Sequence, residues 1–395
     1  MNKPTIIVIG SSDIIKLSLI RTFGELGYKI ISIHIGKKTI IKPLDYYSSY
    51  ISAYYFLNKD NLINFLIDNC TDKNIKPILF PLDDSYVYVI DKAHHLLDKH
   101  FFYANVNHKE SGIVELMDKS IQKAKAIEAG LNVAKGWEIK YLNGDYIIPT
   151  EIEYPCFVKG ELGYGGSKKF QRKCNNYKEL RKLLDESLDS GKISFIAEEF
   201  LPIDKEIGFM GVSDENNCIV PVMIEKTEIG QGSANGVTMQ GKIEFTKEED
   251  NVVQSIKTFL KNIQYIGISN FDFIESNGRL YFLEINFRYA AYGYGISSAG
   301  LNLPNLFVES VFGNKIDNIN VSANKELFIF NEKVGLKNVL ERHISWSKYK
   351  SLLKESDFLL VKNKKDSGPY KMFYLSFAQN YIMNYLYAMY NKIFK

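Results

Sequence analysis

The stretch NFDFIESNGRLYFLEINFR, residues 270–288, reads as two strands joined by a tight turn. Apolar runs at 270–276 and 279–288 flank Asn277-Gly278, a pair suited to the left-handed backbone of a two-residue hairpin loop. Side chains alternate between the faces of a strand, so Glu284, Asn286 and Arg288 are expected on one face. The turn brings Asp272 onto the neighbouring strand. Burying two carboxylates and an amide together is costly without compensation. A hard cation removes that cost, because Mg²⁺ prefers oxygen ligands and polyphosphate. Two such ions would bridge phosphate oxygens and neutralise the charge that develops in transfer. Arg288 would then hold a carboxylate or acyl phosphate in its planar fork. A solvated hairpin face with ordinary ion pairs fits the same spacing.

Upstream, the strand PCFVK (155–159) ends in Lys159 and runs into GELGYGGSKKF. A lysine at a strand end offers a point charge to phosphate. Gly163-Tyr164-Gly165-Gly166-Ser167 can fold backbone N–H groups over phosphate oxygens. The GxxxxGK[ST] phosphate loop is absent, and a plain hairpin loop is the competing reading. Glu198-Glu199-Phe200-Leu201 closes another strand that can offer backbone hydrogen bonds to adenine, with Glu206 placed to accept from ribose. A helix is expected over 114–130, stopped by Gly130.

The start of the chain has a different character. Residues 5–9, TIIVI, form a buried strand, Gly10-Ser11-Ser12 turn the chain, and 14–26 is an amphipathic helix leading to a strand at 29–35. This is a βαβ beginning without the GxGxxG dinucleotide signature. The expected organisation is an N-terminal α/β domain over 1–110 and a small subdomain with the glycine loop over 111–192. A metal- and nucleotide-binding subdomain follows over 193–315, then an extension over 316–395. At 395 residues the chain is too long for a single ordinary core. Its 49 basic and 46 acidic residues give no electrostatic case for nucleic acid as partner. Cys70, Cys156, Cys174 and Cys218 form no CxxC pair and suit a reducing, cytoplasmic setting. No signal peptide or transmembrane run is read.

Taken in order, these features resemble the ATP-grasp superfamily, in particular its carbamoyl-phosphate synthase, biotin carboxylase and D-aspartate ligase-like branch. The likeness covers most of 1–310 and rests on DK (118–119), FVKG (157–160), the glycine loop, EEFL (198–201) with Glu206, and D…EIN-R (272–288). It implies an α/β ATP-grasp fold behind a βαβ pre-ATP-grasp domain. It makes Lys119 and Lys159 the nucleotide-phosphate lysines, and Gly165, Gly166 and Ser167 part of a lid over the triphosphate. Glu198, Glu199, Phe200 and Leu201 become the adenine hinge, with Glu198 near the amino group, and Glu206 the ribose acid. Asp272, Glu284 and Asn286 become ligands of Mg²⁺, which Mn²⁺ can replace, and Arg288 the catalytic arginine. Phe287 stands where the family more often has proline, but on the opposite strand face, and Asp272 where Glu is commoner.

The implied activity is a carboxylate–amine ligase that forms an amide through an acyl phosphate and releases ADP. An amino acid or small peptide is the expected substrate, and a D-aspartate ligase-like role is one form of it. The alternatives are a bicarbonate-activating enzyme working with partner chains and a catalytically silent nucleotide-binding protein. The loop EKTEIGQGSANG (225–236) is expected to follow a strand and face the substrate, with Lys226 on phosphate or an acidic group. Tyr289, Tyr292 and Tyr294 either line the acceptor site or pack in a turn. Asp83-Asp84 either meets a cationic substrate or caps a helix. His94-His95 is expected on a solvated helix face. The aromatic tail 364–395 is expected to pack internally or form a homodimer contact, rather than lie on a membrane.

Overall fold

The computed structural model describes residues 3–38, 42–160, 170–188, 194–234, 236–316, 326–375 and 378. The chain opens with β1 (Ile6–Gly10), α1 (Asp13–Gly24), β2 (Ile30–Ile35), β3 (Ala53–Leu57), α2 (Leu62–Asn69), β4 (Ile78–Pro81) and α3 (Asp84–Lys92). The four strands are parallel in the order β3-β2-β1-β4. β1 is apolar throughout because it is covered on both faces, as parallel strands are. Ser12 caps α1 by accepting the Ile15 N–H, as the Gly10 turn leads into the helix.

Next come α4 (His94–Leu97), β5 (Asn105–Val106), α5 (Gly112–Leu116) and α6 (Lys119–Glu128). The single helix expected over 114–130 is thus two. Asp118 accepts the N–H groups of Ser120 (2.7 Å) and Ile121 (3.2 Å), so it starts a new helix and puts Lys119 at its first position. Gly130, at φ +83°, ends it as expected.

A five-stranded antiparallel sheet follows. It has β6 (Gly136–Leu142), β7 (Asp145–Ile147), β8 (Cys156–Gly160), β9 (Arg172–Cys174) and β10 (Ser194–Glu199), ordered β7-β6-β10-β8-β9. Helix α7 (Tyr177–Leu188) seals one face with Leu180, Leu183 and Leu184.

The largest sheet is built from β11 (Lys205–Ser213), β12 (Cys218–Ile229), β13 (Thr238–Phe245), β14 (Tyr265–Ser276), β15 (Arg279–Asn286), β16 (Leu327–Phe330) and β17 (Phe358–Leu359), with β5 added on β14. Asn277 and Gly278 both have positive φ, the backbone expected of the β14–β15 turn. Helix α8 (Asn251–Asn262) lays Val253, Ile256, Phe259 and Leu260 on one face, against Phe271, Phe273 and Phe282. The other face shares a core with α1, α9 (Gly293–Ser298), α10 (Leu303–Ser310), α11 (Glu332–Leu340) and α12 (Trp346–Glu355). That core runs from Ile6 to Phe373, so the stretch 326–375, mixed in sequence, belongs to the same body. Arg21 of α1 fastens it. Fully buried, it donates to Asp366 (3.0 Å) and to the carbonyls of Leu360 (2.6 Å) and Val361 (2.8 Å).

One local expectation changes, and one left open is decided. His94 is buried rather than solvated and meets the Tyr103 hydroxyl at 2.7 Å, while His95 is exposed beside Glu110. Tyr289, Tyr292 and Tyr294 pack in the turn after β15. The Tyr289 hydroxyl lies 3.1 Å from Thr22 Oγ1, and Tyr294 donates to Glu25. Of the tail, Phe373 is buried in the main core, and nearly everything beyond residue 375 lies outside the described residues. No helix among the described residues is long and apolar enough to cross a membrane.

Candidate active site

A cleft of about 500 Å³ opens between the five-stranded sheet and the edge of the large one. Its walls include Lys119, Lys159, Glu198, Glu199, Phe200, Leu201, Glu206, Glu284, Asn286 and Arg288, as well as Asp84 from the first sheet. Strand register explains the convergence. Glu206 and Lys226 lie on the paired strands β11 and β12, and Gly208 of β11 stands opposite Asp272 of β14. Asp272 in turn faces Glu284 of β15. Lys226 reaches both Glu206 (3.1 Å) and Asp272 (3.2 Å), and Gly208, on the strand between those of Lys226 and Asp272, has no side chain. A Cβ there would come within 2.9 Å of the Tyr292 hydroxyl. An irregularity in the β14–β15 register falls just after Asp272, yet Glu284 and Asn286 still face the cleft.

Each cleft lysine is matched to an acid. Lys119 pairs with Glu284 at 3.4 Å, and the Glu198 carboxylate is shared by Lys159 (2.7 Å) and Lys123. Sequence put Glu198 beside the adenine amino group; here its carboxylate is buried and held by two ammonium groups. Lys123 was missed. It stands four residues after Lys119 on α6, the spacing that shares a helix face, and that was the available signal. Gln122 joins α6 to β15 by accepting the Ile285 N–H (3.0 Å) and to α5 by donating to the Leu116 carbonyl (2.8 Å). Lys226 was expected on a loop, but β12 continues to Ile229, so Lys226 sits on a strand. Gly165, Gly166 and Ser167 lie outside the described residues.

Arg288 lies two residues beyond the end of β15 and lines the cleft with Glu284 and Asn286. Its Nε donates to Asp84 Oδ1 at 2.7 Å. Asp83 accepts from the Ser11 N–H (2.7 Å) and hydroxyl (3.0 Å), and precedes α3.

The electrostatics follow from burial. Desolvation pushes the Asp272 carboxyl above its usual range; Lys226 pulls it back and Glu284 adds to the rise. Desolvation also lowers Lys159 to about 8, with Glu198 opposing and Lys123 and Lys119 reinforcing. Lys159 loses its charge above that pKa, so with Lys159 in the phosphate-holding role expected from sequence, nucleotide affinity should weaken as pH rises through about 8. Titrating ADP binding between pH 7 and 9.5 checks this, and the inflection should vanish in Lys159→Met.

Asp272, Glu284 and Asn286 offer a hard oxygen donor set on adjacent strands, which suits Mg²⁺. Asn286 Nδ2 donates to Asp272 Oδ2 at 2.9 Å, and Glu284 stands opposite Asp272 on the paired strand. With two carboxylates and an amide, the set falls short of three acidic, histidine or cysteine ligands, and no group of that size gathers among the described residues. Lys119 and Lys226 supply the compensating charge.

Residues 118–292 match the family described as the carbamoyl-phosphate synthase L chain, ATP binding domain. They form an ATP-grasp domain. Likeness to solved structures extends the fold well beyond it. An N5-carboxyaminoimidazole ribonucleotide synthetase in its ADP complex superposes with a TM-score of 0.64 at 16% identity, covering 87% of this chain and 85% of that one. The biotin carboxylase domain of 2-oxoglutarate carboxylase from Hydrogenobacter thermophilus gives 0.62 at 17% identity, covering 83% and 74%. The D-alanine--D-alanine ligase of Bacillus cytotoxicus is 27% identical over 185 residues, 43% of this chain. The match spans half of that ligase's length. The expected α/β ATP-grasp architecture behind a βαβ start is therefore borne out.

Proposed function

We propose that this ATP-grasp chain is an ADP-forming, Mg-ATP-dependent ligase. It activates a carboxylate as an acyl phosphate and passes the acyl group to an amine. The observation that carries the reading is the juxtaposition of Lys119, Lys159 and Lys226 with Asp272, Glu284 and Asn286, closed at one end by Arg288. A nucleotide triphosphate brings negative charge to the lysines and frees the carboxylates that now neutralise them. Magnesium, when bound by Asp272, Glu284 and Asn286, supplies Lewis-acid charge to the phosphates. Lys119 and Lys159 hold phosphate oxygens, and Phe200 and Leu201 flank the base. Arg288 steadies the carboxylate whose oxygen attacks the γ-phosphorus as ADP leaves. The amine nitrogen then attacks the carbonyl carbon, phosphate departs, and the nitrogen gives up a proton. Positioning and charge stabilisation account for catalysis, with no covalent protein intermediate.

The acid has two assignments. Bicarbonate is favoured by the likeness to the ribonucleotide synthetase and the biotin carboxylase domain, and the balance of comparisons leans that way. Partner chains would then supply or carry the acceptor. An amino acid or small peptide, with a D-aspartate ligase-like role as one form, is favoured by the D-alanine--D-alanine ligase match. ATP use and four cysteines free of disulfides suit a cytoplasmic setting.

Mg²⁺-dependent ADP release, measured with bicarbonate plus amines and with pools of L- and D-amino acids and dipeptides, separates these assignments. Mass spectrometry identifies the product. Stimulation by bicarbonate and an amine, with a carboxylated product, selects the first. A product one water lighter than two amino-acid substrates selects the second. Failure to bind Mg-ATP would end both.

A further inference from the structure

We infer that Asp84 is a positioning residue for Arg288: from the first sheet it grips one edge of the guanidinium and turns the other edge to the reacting carboxylate. This rests on the ligase reading of the site. Asp84 is the first residue of α3, just beyond β4, at the carboxyl end of the parallel sheet. β1 and β4 are neighbours, while β2 and β3 lie on the other side of β1, so the strand order reverses between β1 and β4. A crevice at such a reversal is open to groups from outside the sheet. Arg288 enters here, 204 residues along the chain from Asp84.

The contacts divide the guanidinium. Nε donates to Asp84 Oδ1 at 2.7 Å, and one terminal nitrogen lies 3.5 Å from Asp84 Oδ2 and 3.4 Å from Asn286 Oδ1. The other terminal nitrogen has no hydrogen bond among the described residues. Arginine carries five N–H donors in a rigid plane, so fixing the Nε edge fixes where the remaining donors point. Other nearby acids are engaged elsewhere. Asp83 is held by Ser11, Glu284 by Lys119, and Asp272 by Lys226 and Asn286. Asp84 is thus the carboxylate that holds Arg288, and it couples the N-terminal sheet to the transfer step.

The test has two arms. In ¹⁵N spectra, Arg288 Nε–H, identified by its loss in Arg288→Lys, should be protected from exchange in the wild type and unprotected in Asp84→Ala, which removes the acceptor oxygen that an asparagine would keep. This arm needs no substrate, so it stands even if the ligase reading fails. The second arm is steady-state turnover with whichever acid and amine stimulate ADP release. Asp84→Asn should lower kcat about 10- to 100-fold with KM for ATP within two-fold, as expected when a positioning contact is lost. Asp84→Glu should recover part of that loss. Asp13→Asn, which breaks an ion pair between α1 and Lys333 of α11, should leave kcat unchanged. An unprotected Nε–H in the wild type overturns the inference. So does unchanged kcat in Asp84→Asn, or an equal loss of kcat and ATP affinity that Asp84→Glu does not relieve.

Discussion

Glu284→Gln should reduce Mg²⁺-dependent ADP release by roughly 100- to 1000-fold, the scale seen when one electrostatic stabiliser of a transition state is removed. The substitution keeps the shape of the side chain and removes only its charge. Glu284 faces Asp272 across β14 and β15 and lines the cleft. Its charge also helps push the Asp272 carboxyl up, so the resting protein carries a repulsion that a bound cation would relieve. The same substitution should therefore leave thermal stability unchanged or slightly higher. The 3.4 Å pair with the buried Lys119 is long and its Glu284 carboxylate is 39% exposed, so its loss costs little. Activity and stability moving in opposite directions is the signature of a functional carboxylate. A variant that loses both together would make Glu284 a structural residue. The measurements are initial rates across Mg²⁺ concentrations and melting followed by far-UV circular dichroism.

The second large effect is on folding. Arg21→Ala should destabilise the protein by about 3–5 kcal/mol, the cost of leaving a buried charge without its partner. The Asp366 carboxylate would keep only the Ser49 N–H (2.9 Å) and hydroxyl (3.3 Å), while the carbonyls of Leu360, Val361 and Asp366 lose a donor. The double variant Arg21→Met with Asp366→Leu should recover much of the loss, because an apolar pair can fill such a site without desolvating charge. Urea midpoints for the three proteins check this. Nucleotide affinity at low urea should be unaffected, since among the described residues no cleft side chain bonds to Arg21. Equal midpoints for the wild type and Arg21→Ala would show that the buried pair contributes nothing.

How much of this was legible follows from chemical range. The β14–β15 hairpin was readable because Asn277-Gly278 and period-two alternation are local signals. Lys159, Glu206 and Asp272 were placed by their positions on strands, and the strands formed. The break at Asp118 was missed because the apolar spacing of 114–130 fits one helix as well as two; the N-cap bonds decide it. Arg288 pairing with Asp84 and Glu198 serving two lysines depend on segments far apart in sequence meeting in space. Nothing at those positions alone encodes the partner. His94 was misjudged for the same reason, since its burial comes from Tyr103 after the next turn.

The apolar core that unites Ile6 with Phe373 constrains how the chain is made. A ribosome releases α1 early, but the carbonyls of Leu360 and Val361 that receive Arg21 emerge some 340 residues later. During that interval the nascent amino-terminal sheet must expose the surface destined for the later helices. Chaperone engagement should persist until almost the whole chain has been translated, and amino-terminal fragments ending before residue 326 should be captured by holdases rather than accumulate free.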